Sequence, residues 1–243
     1  SAHRTFRSRS PKNVLDEIEY QANRFDADLF AFTDLKLNSD LQVWDALLNE
    51  MQVRVPGARW LGAVHIGATR ARNGLSGQEL EAARAAGMVR LTTGLESGSQ
   101  RTLDRMKKGA KVNVSRQAIR DAAANGISVR VTMIVGYPFE TADDLLRTAE
   151  VLNEHSSDIE RVTLSRFFIR RGTQFYRDLT THPEQYEGIR ETRIDPRFSF
   201  FDHEDQAHRD PAYRRGIDEV LRATFRINRK PICESAREFD GVM

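Results

Sequence analysis

One pattern governs what this sequence can fold into. Short apolar runs alternate with helix-length segments whose apolar residues recur every three or four positions. The runs fall at 28–33 (DLFAFT), 60–66 (WLGAVHI), 88–95, 127–135 and 161–169. The segments between them carry helix punctuation. Ser10-Pro11 opens the first, with serine as the cap and proline at the first helical position. Val14, Leu15, Ile18 and Ala22 form its apolar stripe, and Leu41, Trp44, Leu48, Met51 and Val55 form that of the second. Ser76 and Glu79 have the spacing of a capping box, and Gly87 ends the helix they begin. A short helix over 99–107 is closed by Gly109, and another over 113–125 is stopped by Gly126. Thr141 caps a further helix, with Asp143 and Asp144 in its positive first turn.

Short, nearly continuous apolar strands separated by helices predict a parallel sheet covered by helices, that is, an α/β fold. Two closures fit, an open doubly wound sheet or a TIM-like (β/α) barrel. The chain begins with a helix and no strand before it. Sheets of this kind start with a strand, so the count is six βα units with the first strand missing, expected upstream of Ser1. The stretch from Thr173 reads as irregular, with a helix near 213–225 bearing Ile217, Val220, Leu221 and Phe225 on one side. The predicted division is a core over 1–175 and a C-terminal extension over 176–243.

Composition narrows the function classes. The chain has 243 residues, 40% hydrophobic and 30% charged, as expected for one globular domain with an appendage. Its apolar runs are too short to cross a bilayer, and 1–10 is basic and polar rather than a signal peptide, so a cytoplasmic location is expected. A formal charge of +2 gives no global field to steer nucleic acid. Cys233, the single cysteine, can build neither an internal disulfide nor a multi-thiolate metal site. His203 and His208, in D-H-E-D-Q-A-H, read as a solvated loop.

In either architecture ligands bind at the carboxyl ends of the strands. Those ends read Phe32-Thr33-Asp34, His65-Ile66-Gly67, Gly94-Leu95-Glu96-Ser97-Gly98-Ser99, Gly136-Tyr137-Pro138-Phe139-Glu140-Thr141 and Arg170-Arg171-Gly172-Thr173. The row is polar and glycine-rich where a cleft belongs. Singly, each residue has a structural explanation: Asp34 as a turn residue, Ser99 as a cap, Glu140 as an acid at a helix start. Glu96 stands out, because a carboxylate there is costly to desolvate without a partner. No G-x-S-x-G elbow, Walker loop or HExxH is present.

In this order the strand-end motifs resemble those of the radical S-adenosylmethionine superfamily. FRSRSPKNVLDEI (6–18) is similar to the segment after that family's cluster loop, and FTDLKLNSD (32–40) to its second-strand motif. GLESGSQRTLDRMKKG (94–109) resembles its fourth strand and following helix, and IVGYPFET (134–141) its fifth-strand G-x-P-x-E-T motif. RGT (171–173) falls where many members have P-G-T, without the proline. The likeness covers roughly residues 6–175, and its style is that of the cobalamin-binding branch and the methylthiotransferases.

The resemblance implies a partial (β/α)6 barrel and a 4Fe–4S cluster held by C-x3-C-x2-C. It implies reductive cleavage of S-adenosylmethionine to a 5′-deoxyadenosyl radical that acts on an unknown small molecule, peptide or tRNA, and the cobalamin-binding style implies cobalamin held by an upstream domain. No C-x3-C-x2-C occurs in these 243 residues. The cluster loop is therefore expected before Ser1, and the chain alone is expected to be inactive, with an exposed edge on the 28–33 strand. Carried over residue by residue, Asp34 would contact the methionine amino group. Glu96 and Ser97 would face the ribose or the methionine carboxylate. Ile134 would pack on adenine, and the backbone of Gly136, Tyr137 and Pro138 would bond its edge. Arg166 or Arg170 would meet the carboxylate or a substrate anion. Two rivals stand beside this reading. One is a cluster-free barrel serving binding or assembly. The other is an ordinary barrel enzyme, disfavoured because no Schiff-base lysine sits at a strand end.

Overall fold

A computed structural model describes residues 8–67, 74–194, 198–203 and 209–241. Its centre is a parallel sheet with strand order β1-β2-β3-β4-β5, formed by Leu29–Ala31, Arg59–Val64, Met88–Glu96, Ser128–Val135 and Ile159–Arg166. Consecutive strands are spatial neighbours throughout, as successive βα units of a barrel require. Helix α1 (Pro11–Phe25) precedes β1, and α2 (Leu41–Arg54), α3 (Gly77–Ala85), α4 (Gln100–Arg105), α5 (Val112–Ala124) and α6 (Ala142–Glu154) supply the connections.

The caps act as the sequence predicts. The Ser10 hydroxyl accepts from the Asn13 N–H, and Ser76 with Glu79 and Thr141 with Asp144 form reciprocal capping boxes. Gly87 and Gly126 turn the chain at φ of +98° and +72°, values that favour glycine. β1 is shorter than the apolar run suggests, because it pairs on one side alone, with β2.

The strands are not apolar on both faces. One face packs on the helices through Trp60, Val64, Leu91, Leu95, Val131 and Val162. Trp60 meets Trp44 of α2 edge-on, with ring centroids 6.1 Å apart. By strand alternation the opposite face carries Thr92, Thr132, Thr163 and Ser165, with Gly94, Thr132 and Thr163 in register across three strands. These residues are half-buried or exposed. This corrects the reading of near-continuous apolar strands: the inner face is a hydroxyl-lined surface.

At the amino ends of the strands that inner face is sealed by the C-terminal segment. A 3-10 turn over Glu234–Phe239 lies across it. Arg90, fully buried, donates to the Phe239 carbonyl at 2.8 Å, the Ala236 carbonyl at 3.1 Å, Glu160 Oε1 at 3.2 Å and Ser128 Oγ at 3.3 Å. The other Glu160 oxygen accepts the Cys233 N–H at 2.8 Å. Leu61, Val89, Ala236 and Phe239 form a small apolar cluster beside this network.

The last part of the chain is more regular than the sequence suggests. The 161–169 run is split, with β5 ending at Arg166 and Ile169–Arg170 (β6) joining a second, antiparallel sheet. That sheet has the order β6-β8-β7, with β7 at Ile189–Ile194 and β8 at Phe198–His203. Helix α7 (Gln174–Thr181) lies between β6 and β7. A two-residue strand and the charge-rich IRETRI segment leave no periodic signal to read. Helix α8 (Pro211–Asn228) contains the expected 213–225 helix and packs on α6, where Gly216 approaches Leu145 so closely that a Cβ would lie 2.9 Å from it. Asn228, at the end of α8, accepts the Val162 N–H at 2.8 Å and donates to the Val162 carbonyl at 2.9 Å, covering the outer edge of β5. His208 lies outside the described residues. No helix among the described residues is long and apolar enough to cross a membrane.

Replacing Arg90 with methionine strips partners from two carbonyls and leaves the Glu160 carboxylate buried with fewer cations. We expect it to destabilise the fold by about 3–5 kcal/mol. Urea denaturation measures this as a lowered midpoint, and an unchanged midpoint would show that the seal is not structural.

Candidate functional site

The carboxyl ends of the five strands form one rim, and the structure places the predicted residues along it at different depths. Glu96 closes β3 at a register shift, with a left-handed φ of +62°. Its carboxylate folds back over Gly94, where a Cβ would come within 2.6 Å of Oε1. Glycine at 94 is what allows that conformation. The partner that Glu96 requires is Lys108, whose Nζ donates to Oε1 at 2.8 Å. The structure therefore adds Lys108, from the loop after α4, to the site. In the sequence Lys108 belongs to the basic MKKG segment, where no spacing rule names Glu96 as its partner.

His65, at the end of β2, lies between the rim elements. The Asn38 side chain accepts the His65 N–H and donates to its carbonyl, both at 2.9 Å, which fixes the loop. Burial depresses the His65 pKa, and the cations Lys36 and Lys108 depress it further, with Glu96 opposing. Lys36 from the β1 loop and Lys108 from beyond β3 thus act on one imidazole, so the β1 and β3 ends share an electrostatic neighbourhood. Asp34 is exposed on the β1 side and lines a separate groove of about 900 Å³ along the open edge of β1 and α1. It sits two strands from Glu96, roughly 10 Å along the sheet.

Ser97 does not face the mouth. It is fully buried, its hydroxyl lies 3.2 Å from Thr148 Oγ1 of α6, and it accepts the Ser99 N–H at 3.1 Å. Gly98 presses against the same helix, donating its N–H to Thr148 Oγ1 at 2.9 Å. The Ser99 hydroxyl donates to Asp144 at 2.6 Å. Burial would raise the Asp144 pKa, but hydrogen bonds from Arg101, Ser99 and Thr141 outweigh it and hold the carboxyl down at about 2. The SGS segment is therefore a buried anchor to α6 that aims Glu96, rather than a row of ligand contacts.

Ile134 is half-buried and faces the cavity. Beyond it Gly136 turns at φ +79° and donates its N–H to Glu140 Oε2 at 2.8 Å. That N–H is thus committed inside the protein, and Pro138 has none to offer. The Tyr137 carbonyl is committed as well, accepting the Glu140 N–H at 3.0 Å. The Tyr137 ring is buried edge-on against Phe167 and Phe175, at 4.8 and 5.9 Å between centroids. Its hydroxyl donates to the Arg105 carbonyl at 3.2 Å, and burial pushes the phenol up to about 12.

Glu140 is more than an acid at a helix start. It is 1% exposed and accepts the Tyr213 hydroxyl of α8 at 2.9 Å as well as the Gly136 N–H. Burial raises its pKa to about 7, against those two hydrogen bonds. Its Oε1 is buried without a hydrogen-bond partner.

Glu96, Lys108, Ile134, Tyr137, Arg166 and Phe168 line one cavity of about 580 Å³. A carboxylate, the three cations Lys108, Arg166 and Arg170, and an aliphatic wall thus face one space. A metal cluster is not provided for: among the described residues no group of three or more His, Cys, Asp or Glu side chains could hold a metal ion. Cys233 lies at the sealed, opposite end of the strands, bonded through its N–H to Glu160.

The family model described as the Radical SAM superfamily matches residues 1–152, more than half of the chain. The chain belongs to the radical SAM superfamily. An anaerobic magnesium-protoporphyrin IX monomethyl ester cyclase of Rubrivivax gelatinosus is 28% identical over 157 residues, covering 64% of this chain and 27% of the relative. The chain thus spans little more than a quarter of that relative's length. The radical SAM methyltransferase TsrM from Kitasatospora setae superposes with a TM-score of 0.68 at 14% identity, over 89% of this chain and 47% of that one. The cobalamin-dependent radical SAM enzyme OxsB gives 0.51 at 20% identity, over 76% and 27%. These likenesses confirm the partial-barrel fold of the radical SAM core. Members of the superfamily use S-adenosylmethionine and a 4Fe–4S cluster.

A carboxyl raised from 4.5 to about 7 on folding contributes stability that is fully present below 4.5 and lost as pH rises through 7. We expect the native chain to lose on the order of 3 kcal/mol between pH 5 and pH 8 relative to Glu140→Gln, which keeps a neutral side chain throughout. Thermal melts of both proteins at the two pH values measure it. Parallel pH profiles would remove Glu140 as the titrating group.

Proposed function

We propose that this chain is the S-adenosylmethionine-binding part of a radical SAM enzyme, with its core over 1–175 and an extension over 176–243. The observation that carries the reading is the single cavity shared by Glu96, Lys108, Ile134, Tyr137 and Arg166 at the carboxyl ends of β3, β4 and β5. Glu96 accepts the ribose hydroxyls, held in place by Lys108 and by the bare backbone of Gly94. Ile134 packs on the adenine face, and the Gly136 carbonyl and Tyr137 N–H read its edge. Arg166 pairs with the methionine carboxylate. Asp34, across the rim, takes the amino group.

The cluster supplies the electron for reductive cleavage of S-adenosylmethionine. Its thiolates are assigned to a C-x3-C-x2-C preceding Ser1, since the described residues offer no ligand set. The exposed edge of β1, flanked by the open groove with Phe25 and Leu35 in solvent, suits one more parallel strand from the same upstream segment. The likeness to TsrM and OxsB supports a cobalamin-binding domain upstream, that to TsrM a methyl-transferring reaction, and that to the cyclase a ring-forming one.

In the full-length protein, anaerobic reconstitution with iron and sulfide should give dithionite-dependent 5′-deoxyadenosine. Glu96→Ala should weaken S-adenosylmethionine binding by about tenfold at unchanged iron content, the scale of one lost charge-assisted contact. Equal affinity in the variant would remove Glu96 from the site.

A further inference from the structure

Helix α8 has one face buried against α6 and β5 and one face in water. Tyr213, Gly216, Val220, Ala223 and Ile227 form the buried face. On the exposed side Arg215, Arg222, Arg226 and the cap residue Arg229 follow one another at intervals of seven, four and three residues. At 3.6 residues per turn, roughly 100° each, these intervals place the four arginines on one stripe, about 21 Å long. Phe225, 64% exposed, stands beside them, and the Arg229 guanidinium carbon lies 5.4 Å from its ring centroid.

Little neutralises this stripe. The helix holds two acids, Asp218 and Glu219. Glu219 accepts from Arg222 at 2.9 Å in a water-exposed pair, which a competing anion displaces at small cost. Arg226 is held by a neutral amide, donating to Asn153 Oδ1 of α6 at 3.0 Å. The acids of α6 answer another helix: Glu154 pairs with Arg116 and Arg120 of α5, and Glu150 acts on the same Arg116. Lys230, next in the chain, is turned inward to the Ser156 and Ile159 carbonyls. A net charge of +2 for the whole chain thus conceals a local row of guanidinium groups.

The row has a direction. At the start of α8 the Tyr213 hydroxyl donates to Glu140 in the turn after β4, at the carboxyl ends of the strands. At the other end Asn228 bonds Val162, midway along β5. The stripe therefore climbs toward the rim of the cavity.

We infer that the exposed face of α8 binds single-stranded nucleic acid, whose phosphates lie on the arginine row and lead a nucleotide to the strand ends. Regularly repeated anions suit a row of guanidinium forks. An exposed ring among them gives a base a face to stack on. A bilayer would need a broad apolar face, and on α8 the large apolar side chains in water are Leu221 and Phe225. The substrate is thereby a nucleic acid, an assignment that rests on the proposed function for the place of the cofactor. The binding itself is measured without it.

Fluorescence anisotropy of labelled oligouridylate and oligothymidylate of about twelve nucleotides tests the inference. One or both should bind the chain, the tighter one identifying the sugar. Log affinity should fall against log salt with a slope of about −3 between about 50 and 200 mM, the value for four phosphate contacts on a single strand. Arg222→Gln combined with Arg226→Gln should cut affinity about tenfold or more at low salt and flatten the slope by roughly 1–2. Phe225→Ala should cost about tenfold at an unchanged slope, because it removes stacking and no charge. All three side chains are exposed, so the variants keep the core intact. No binding of either strand at about 50 mM salt, or affinities unmoved by the arginine pair or by Phe225→Ala, would overturn the inference. So would recruitment to phosphatidylserine vesicles through the same residues without oligonucleotide binding, which would give the face to a membrane. Titration with S-adenosylhomocysteine separates the two proposals. Oligonucleotide binding without S-adenosylhomocysteine binding would sink the cofactor reading alone; the reverse result would sink this one alone.

Discussion

The Arg90 guanidinium, sealed between β3 and the C-terminal 3-10 turn, is the interaction on which the shape of the molecule depends. A parallel sheet needs cover on both faces, and here the repeating helices cover one. The inner face is polar, so an apolar plug would not satisfy it. Arg90 solves this with hydrogen bonds, taking two carbonyls of the tail and the Glu160 carboxylate into a dry site. The same face, a few residues further along the strands, is left open with its row of threonines. One end of the sheet is thereby closed and rigid, and the other is free to hold ligands.

The open end is organised by charge rather than by apolar packing. Lys36 and Lys108 crowd His65, Glu96 answers Lys108, and Arg166 and Arg170 extend the positive lining toward the second sheet. Beneath this rim lies a second, buried layer. The SGS segment is tied to Thr148 and Asp144 of α6, and Glu140 joins the β4 turn to Tyr213 of α8. The mouth is thus held by two helices that do not line it. Strain concentrates there as well: Glu96 and Phe139, both non-glycine residues, adopt left-handed φ.

Much of this was legible in the sequence because it is local. Ser76, Ser99 and Thr141 cap helices at the predicted places, Gly87 and Gly126 stop them, and the five apolar runs become the five parallel strands. The polar row at the strand ends was legible too, since fold class alone assigns those positions to a cleft. What escaped is long-range. Arg90 meets residues some 146 and 149 positions away, and Tyr213 meets Glu140 across 73, so no spacing rule links them. Ser97 misled because motif order gives a position but not the direction of a side chain. Alternation along β3 breaks at the register shift beside Gly94, and past it the serine turns inward to α6.

The Asn228 amide has a consequence for how the sheet can be extended. By taking both backbone groups of Val162, it stands where a residue of another strand would stand and occupies the outer rim of β5. The opposite rim, at β1, carries no such substitute among the described residues. Growth of this sheet is therefore one-sided: a strand from the same polypeptide or from any neighbouring molecule finds its docking line beside Leu29–Ala31, and the side chain of one asparagine sets that polarity.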